Sequence, residues 1–277
     1  MTYADLQLKR IAAVQSNLCV GLDPRPDLIA GGDIESFVRK VMEETAPYAA
    51  AFKPNMAYFE ALGSKGVAIL ERVLADRPRE IPIILDAKRS DIGETQNYYA
   101  KACFEHLDVE AVTLNPFLGY DSLEPFLAYE GRGLFILTIT SNAGSQDVQM
   151  QPCGEGRVFQ KIQDMALRAP EGSTGMVLGL TNAEPEVLDK IADLPLLLPG
   201  LGAQGGDLQA LAGQGRKAPI LVNVSRGLLF AQDDRSFAQG DQDYREPIKA
   251  SQKRLKTLAV SSKGSPRPSW VTWGLRS

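Results

Sequence analysis

The chain is poor in the residues that build most metal sites and disulfide frameworks. It has one histidine, His106, and three cysteines, Cys19, Cys103 and Cys153, in 277 residues. The cysteines show no CxxC spacing and none lies near His106, which excludes the usual zinc arrangements and leaves no metal site or disulfide framework to expect. Basic runs are missing as well. Lys and Arg number 30 against 34 Asp and Glu, a net charge of -4, and no basic stripe is interleaved with aromatics, so no nucleic acid partner is expected. Long apolar runs are also absent: nothing approaches membrane-spanning length, and the N-terminal residues lack the apolar centre of a signal peptide. These absences point to a soluble cytoplasmic chain, with no membrane contact, whose partner is a small molecule.

What is present is a repeated alternation. With 44% hydrophobic residues the chain can bury one large core, and one domain is expected. After an opening helix, short apolar runs at 18–23, 50–55, 81–88, 111–115, 133–140, 174–180, 195–199 and 219–224 read as strands. Amphipathic segments between and after them, at 33–47, 63–77, 94–107, 121–130, 155–169, 184–192, 206–213 and 244–260, read as helices. Eight strand–helix units favour a parallel (β/α)8 TIM barrel over residues 1–260, with an open doubly wound sheet as the alternative. The polar residues decide between them. Asp23, Lys53 with Asn55, Asp86 with Lys88, Asn115, Ser141, Asn182, Gln204 and Arg226 all fall at or just past strand ends, and a closed barrel brings those ends to one face. Residues 261–277 have the composition of a tail and are assigned no function.

The charged centre lies at Ile81-Pro-Ile-Ile-Leu-Asp86-Ala-Lys88-Arg-Ser-Asp91. Side chains two apart on a strand share a face, so Asp86 and Lys88 point the same way at the mouth of a core, with Asp91 just beyond. Burying ionised groups costs several kcal/mol each unless they are paired, which favours a functional cluster. Asp91 has a second reading, because an acid three residues before Glu94 also suits a helix N-cap with its reciprocal partner.

A different chemistry is written at the end of the strand pattern. The seventh strand runs into Gly200-Leu-Gly-Ala-Gln204-Gly-Gly, and the eighth into Ser225-Arg226-Gly227. Glycines let backbone N–H groups approach an anion, arginine offers a planar fork of donors, and these two loops form the usual phosphate site of the barrel. The same glycines match GxGxxG, which raises a dinucleotide alternative. That motif requires further βαβ units for which the chain has no room.

Together these motifs resemble the orotidine 5′-phosphate decarboxylase family, in its longer bacterial subgroup. Asp-Ala-Lys-Arg-Ser-Asp-Ile-Gly-Glu-Thr at 86–95 resembles the family signature, and matches follow in order at Leu22-Asp23-Pro24, Phe52-Lys53-Pro54-Asn55, Asn115-Pro116, Thr140-Ser141-Asn142, the Gln204 loop and Ser225-Arg226-Gly227. The resemblance implies a homodimer, free of metal and organic cofactor, acting on a nucleotide. It implies that Lys53, Asp86, Lys88 and Asp91 form an alternating charge network, with Asp91 and Thr95 reaching into the partner subunit's site. Asp23 and Thr95 would hold ribose hydroxyls, Ser141 the pyrimidine, and Gln204 and Arg226 the phosphate, with Asn115 and Asn55 lining the site. Ala143 stands where the family commonly has proline, and Leu180 where a smaller residue is frequent. Both sit beside the motif residues and bear on loop shape.

The reaction that the resemblance implies is conversion of orotidine monophosphate to UMP and carbon dioxide; no motif offers an electron sink for it, so fixed charge must stabilise the carbanion left at C6. Lys88 is then the proton donor, Asp86 repels the departing carboxylate, and Lys53 and Asp91 hold the network together. Gly205 and Gly206 would give the phosphate loop freedom to close. Two rivals remain: a magnesium-dependent sugar-phosphate barrel enzyme with a similar acid–lysine–acid cluster, and a barrel that binds phosphate ligands without catalysis.

Overall fold

The computed structural model describes residues 1–183, 185–199 and 215–230. The expected helices at 206–213 and 244–260, the Gln204 loop, the barrel boundary at 260 and the tail at 261–277 lie outside the described residues. Eight parallel strands appear close to their expected places: β1 (Leu18–Leu22), β2 (Ala49–Pro54), β3 (Ile84–Arg89), β4 (Ala111–Leu114), β5 (Gly133–Ile139), β6 (Thr174–Leu178), β7 (Leu196–Pro199) and β8 (Ile220–Val224). β1, β2, β4 and β6 are buried along their whole length, as parallel strands covered on both faces should be.

The sheet runs β2-β1-β8-β7-β6-β5-β4-β3, and its two ends meet. Phe52 of β2 and Asn55 just past its end bridge in parallel to Ile83 and Asp86, and the Phe52 N–H donates to the Pro82 carbonyl at 2.9 Å. The barrel therefore closes along the β2–β3 seam. Strand alternation divides the core in two: Val20, Phe52, Leu85 and Val112 face the outer helices, while Cys19, Ala51, Ile84 and Ala111 face the interior. Burial pushes the interior Cys19 thiol up to about 12, which leaves it unreactive.

The opening helix, α1 (Tyr3–Val14), starts with a capping box between Thr2 and Asp5. It plugs the N-terminal end of the barrel. Tyr3 packs edge-on against Phe135 at 5.8 Å, Gln7 donates to the Ala50 carbonyl at 2.9 Å, and Arg10 donates to the Ala49 carbonyl at 3.0 Å. The open face is thus the one carrying the strand C-termini.

The outer helices follow the expected pattern with local differences. α2 (Ile34–Thr45) is capped by Asp33, whose carboxylate accepts the Ser36 N–H. A short α3 (Met56–Glu60), not anticipated from periodicity, follows β2 because Asn55 caps it. α4 (Gly63–Ala75) keeps its expected start, and α5 (Gly93–Lys101) continues into a single π turn at Ala102–His106. The 121–130 segment shortens to a 3-10 turn and α6 (Glu124–Leu127), where Pro125 removes a donor from the first turn. α7 (Val158–Arg168) starts later than expected because Pro152–Cys153 and Gly156–Arg157 form a small hairpin. α8 (Pro185–Leu188) and α9 (Arg226–Leu229) are single turns.

Candidate active site

The charged side chains of β2 and β3 meet at the open end of the barrel. Asp86 and Lys88 lie side by side at the mouth, whereas Arg89 turns away from them and pairs with Glu60 of α3 at 2.5 Å. Asp86 Oδ2 accepts from Lys53 Nζ at 2.7 Å across the closing seam, and Oδ1 accepts from Lys88 Nζ at 2.5 Å. The side chains of Lys53 and Asp86 are only 5% and 12% exposed, whereas that of Lys88 is 49% exposed. One lysine is therefore a fixed counter-charge and the other an accessible one. Burial opposes ionisation of Asp86, but the two lysines outweigh it and hold the carboxyl at about 2. Burial likewise pulls Lys53 down, and Asp86 with Asp23 more than offsets it, leaving Lys53 above the ordinary lysine range.

Lys88 has a left-handed backbone, φ 49°, at a cost of about 1–2 kcal/mol for a residue with a Cβ. The register explains its turn. Leu85 pairs with Val112 and Arg89 with Leu114, so three β3 residues bulge opposite Thr113 alone. The Thr113 hydroxyl fills the gap in the ladder: it accepts the Lys88 N–H at 3.0 Å and donates to Asp86 Oδ1 at 3.1 Å. Thr113 was not singled out by sequence reasoning, although a lone hydroxyl in an otherwise apolar strand was the available signal.

Other expected residues ring the same face. Asp23 follows β1, and its Oδ1 is buried without a hydrogen-bond partner among the described residues, as are Asn223 Oδ1 and Ser225 Oγ at the end of β8. β1 and the β8 end approach so closely that a Cβ on Gly21 would lie 2.7 Å from the Ser225 Cβ. Ser141 is exposed past β5, on a segment clamped through its backbone. Asn182 donates to the carbonyls of Thr140 at 2.8 Å and Asn142 at 2.9 Å, Thr181 donates to that of Ser141 at 3.3 Å, and Gln149 accepts the Thr140 N–H at 2.7 Å. Gly179 permits that approach, since a Cβ there would lie 2.6 Å from the Ser141 nitrogen. Asn55 and Asn115 each cap a turn, accepting the N–H groups of Ala57 at 3.2 Å and Phe117 at 3.1 Å. Arg226 is exposed at the start of α9, beyond β8.

Asp91 and Thr95 stand apart from this cluster. The capping reading of Asp91 is not borne out: α5 begins at Gly93 with Ile92 at its N-cap, and the Asp91 carboxylate accepts the adjacent Ile92 N–H at 2.8 Å. The loop after β3 is one residue too long for the Asp91–Glu94 pair to form a capping box. Asp91 makes no ion pair among the described residues, and Thr95 is exposed. Among the described residues no three His, Cys, Asp or Glu side chains group as a metal ion would need. Likewise, no helix among them is long and apolar enough to cross a membrane.

The chain is similar to known proteins over most of its length. Over 248 residues the chain is 42% identical to the orotidine 5′-phosphate decarboxylase of Dehalococcoides mccartyi strain BAV1, covering 85% of this chain and 91% of the relative. It is 44% identical over 252 residues to that of Roseiflexus sp. strain RS-1, covering 86% and 92%. The solved Leishmania donovani OMP decarboxylase superposes with a TM-score of 0.74 at 38% identity, over 86% of this chain and 95% of that one. UMP synthase of the same organism also matches, with a TM-score of 0.74 and 38% identity, over 91% of this chain, which spans 56% of that longer protein. With residues 16–240 matching the model of the orotidine 5′-phosphate decarboxylase / HUMPS family, the chain belongs to that family.

Proposed function

We infer that this chain decarboxylates orotidine 5′-monophosphate to UMP and carbon dioxide, in pyrimidine nucleotide biosynthesis. The observation that carries the reading is the Lys53–Asp86–Lys88 line at the barrel mouth, in which one carboxylate is held ionised between a buried and an accessible lysine.

The steps follow from those charges. The C6 carboxylate is placed beside Asp86, which stays charged because Lys53 and Lys88 flank it, and the repulsion eases as carbon dioxide leaves. The C6–carboxyl bond breaks with its electron pair remaining on C6, next to the Lys88 ammonium. Lys88 delivers a proton to C6 and takes one back from water, which closes the cycle with no electron sink. Asp23, with a buried acceptor oxygen that has no hydrogen-bond partner among the described residues, holds a ribose hydroxyl. Ser141, on its clamped segment, reads the pyrimidine, Asn115 lines the site, and Arg226 with Gln204 grips the phosphate.

The working unit is a homodimer. Asp91 makes no ion pair among the described residues, Thr95 is exposed, and Ile92, Tyr98 and Phe117 nearby are 62%, 67% and 80% exposed after adjacent strands β3 and β4. An apolar face of this kind suits a second copy, which would carry Asp91 and Thr95 into the neighbouring site. We place the enzyme in the cytoplasm, a location that suits its three unpaired cysteines. Recovery of the native protein mainly in a membrane fraction would count against that.

The magnesium-dependent rival is separated by one experiment. Absorbance of orotidine monophosphate is followed with purified protein in excess chelator, beside Lys88→Ala. Turnover in the wild type and at least a 1,000-fold loss in the variant are expected, about 4 kcal/mol of transition-state stabilisation. Activity that vanishes with chelator and returns with magnesium would refute the reading, as would equal turnover in the two proteins. Binding of UMP without any carbon dioxide release would favour the non-catalytic barrel.

A further inference from the structure

We propose that Thr113 is a positioning residue for the decarboxylation, holding the Asp86–Lys88 pair in its working geometry through one buried hydroxyl; the inference rests on the role given to Lys88 above. Three observations converge on it. Lys88 occupies a left-handed backbone position that a lysine does not adopt without external support. The β3–β4 ladder skips from Leu85 to Arg89, so the Lys88 N–H has lost the strand carbonyl that would ordinarily receive it. Thr113, 1% exposed at the centre of β4, accepts that N–H and uses its own proton on Asp86 Oδ1, the same oxygen that receives Lys88 Nζ.

A three-membered ring of contacts results, running from the Lys88 backbone through the Thr113 hydroxyl and the Asp86 carboxylate to the Lys88 ammonium. The hydroxyl fixes both ends of the Lys88 side chain, the root directly and the tip through Asp86. Asp86 Oδ2 is tied independently to Lys53, so without Thr113 the carboxylate could still be anchored while pivoting about that contact. Such a pivot moves Oδ1 and with it the ammonium that must meet C6. Thr113 lies on β4, behind the charged pair, and needs no contact with substrate to act this way. The residue type is specific. Valine matches the shape and removes both hydrogen bonds, serine keeps the hydroxyl and removes a methyl group, and alanine removes both.

The test compares Thr113→Val, Thr113→Ser and Lys88→Ala in the full chain, each confirmed folded by its melting curve. In Thr113→Val, kcat is expected to fall about 10- to 100-fold, the scale of a misplacement near 1 Å, while KM and UMP affinity stay within about three-fold. Thr113→Ser is expected to restore kcat to within about three-fold of wild type. Hydrogen exchange supplies a readout that catalysis does not enter: the Lys88 amide should exchange at least about ten-fold faster in Thr113→Val than in Thr113→Ser, having lost its acceptor. Equal kcat in Thr113→Val and wild type, with Lys88→Ala inactive, would overturn the proposal and leave the Lys88 assignment standing. Parallel losses in Thr113→Val and Thr113→Ser would also overturn it, since volume rather than the hydroxyl would then be the cause. Retained turnover in Lys88→Ala would remove the assignment on which the proposal rests, and the proposal with it.

Discussion

Replacing Asp86 by asparagine tests whether the charge network is also a structural element. The substitution keeps the shape of the side chain and leaves Lys53, whose side chain is 5% exposed, without the carboxylate 2.7 Å away. Breaking a buried pair from one side costs about 3–5 kcal/mol, and Asp23, the second anion acting on Lys53, keeps the cost toward the lower end. At roughly 2–4 °C per kcal/mol for a chain of this size, the melting temperature should fall by about 6–12 °C at pH 7. The pH dependence carries more information. In the wild type the Asp86 carboxyl titrates at about 2 in the folded state, below its unfolded value, so its stabilisation is present above about pH 4 and is lost as pH falls toward 2. Lys53 titrates above its unfolded value, so its contribution is whole below about pH 10.4 and is lost as pH rises through the folded value. The pair is therefore insensitive to pH between about 4 and 10. In Asp86→Asn, burial remains while the principal anion is gone, so Lys53 drops below its unfolded value and the variant should gain stability as pH rises from 7 to 9.5. Urea unfolding of both proteins at several pH values measures this. A variant within 2 °C of wild type at pH 7, or one whose stability runs parallel to wild type up to pH 9.5, would refute the reasoning.

Two further outcomes follow from residues at the rim. Arg226→Ala should leave the melting temperature within about 1 °C, because the side chain is exposed, and should lower kcat/KM for the whole nucleotide by about 100-fold or more, the worth of a charge-assisted phosphate contact; steady-state kinetics within a few-fold of wild type would mean the phosphate grip is assigned wrongly. Mixing Lys88→Ala with Asp91→Asn after joint refolding should restore about one quarter of wild-type activity, since half the dimers are hybrids and each hybrid has one intact site. Failure of the mixture to exceed its inactive parents would mean that Asp91 serves its own protomer.

Much of the barrel is legible in the chain because strand and helix periods are local. The apolar runs at 18–23 and 111–115 became β1 and β4 with shifts of one residue at their ends, and Asp86 and Lys88 were legible as a charged pair at a strand end, although their contact is made through a bulge rather than through regular alternation. Helix boundaries were less legible where a side-chain cap or a proline intervened, as at Asn55 and Pro125. Asp91 shows how narrow that margin is: one residue of loop separates a capping box from a carboxylate that accepts the adjacent Ile92 N–H and has no ion pair among the described residues.

The chain by itself therefore determined the order of strands, the residue types at their carboxyl ends, and the pairing of one acid with one base on β3. Only the tertiary structure decided that Lys53, 33 positions before Asp86, becomes its buried partner. That contact exists because β2 and β3 meet at the seam where the barrel closes, and closure is a property of the whole sheet rather than of either strand. The same holds for Thr113. Its hydroxyl acquires a role through the bulge that turns Lys88 left-handed, a mismatch between two strands that neither strand's own pattern records.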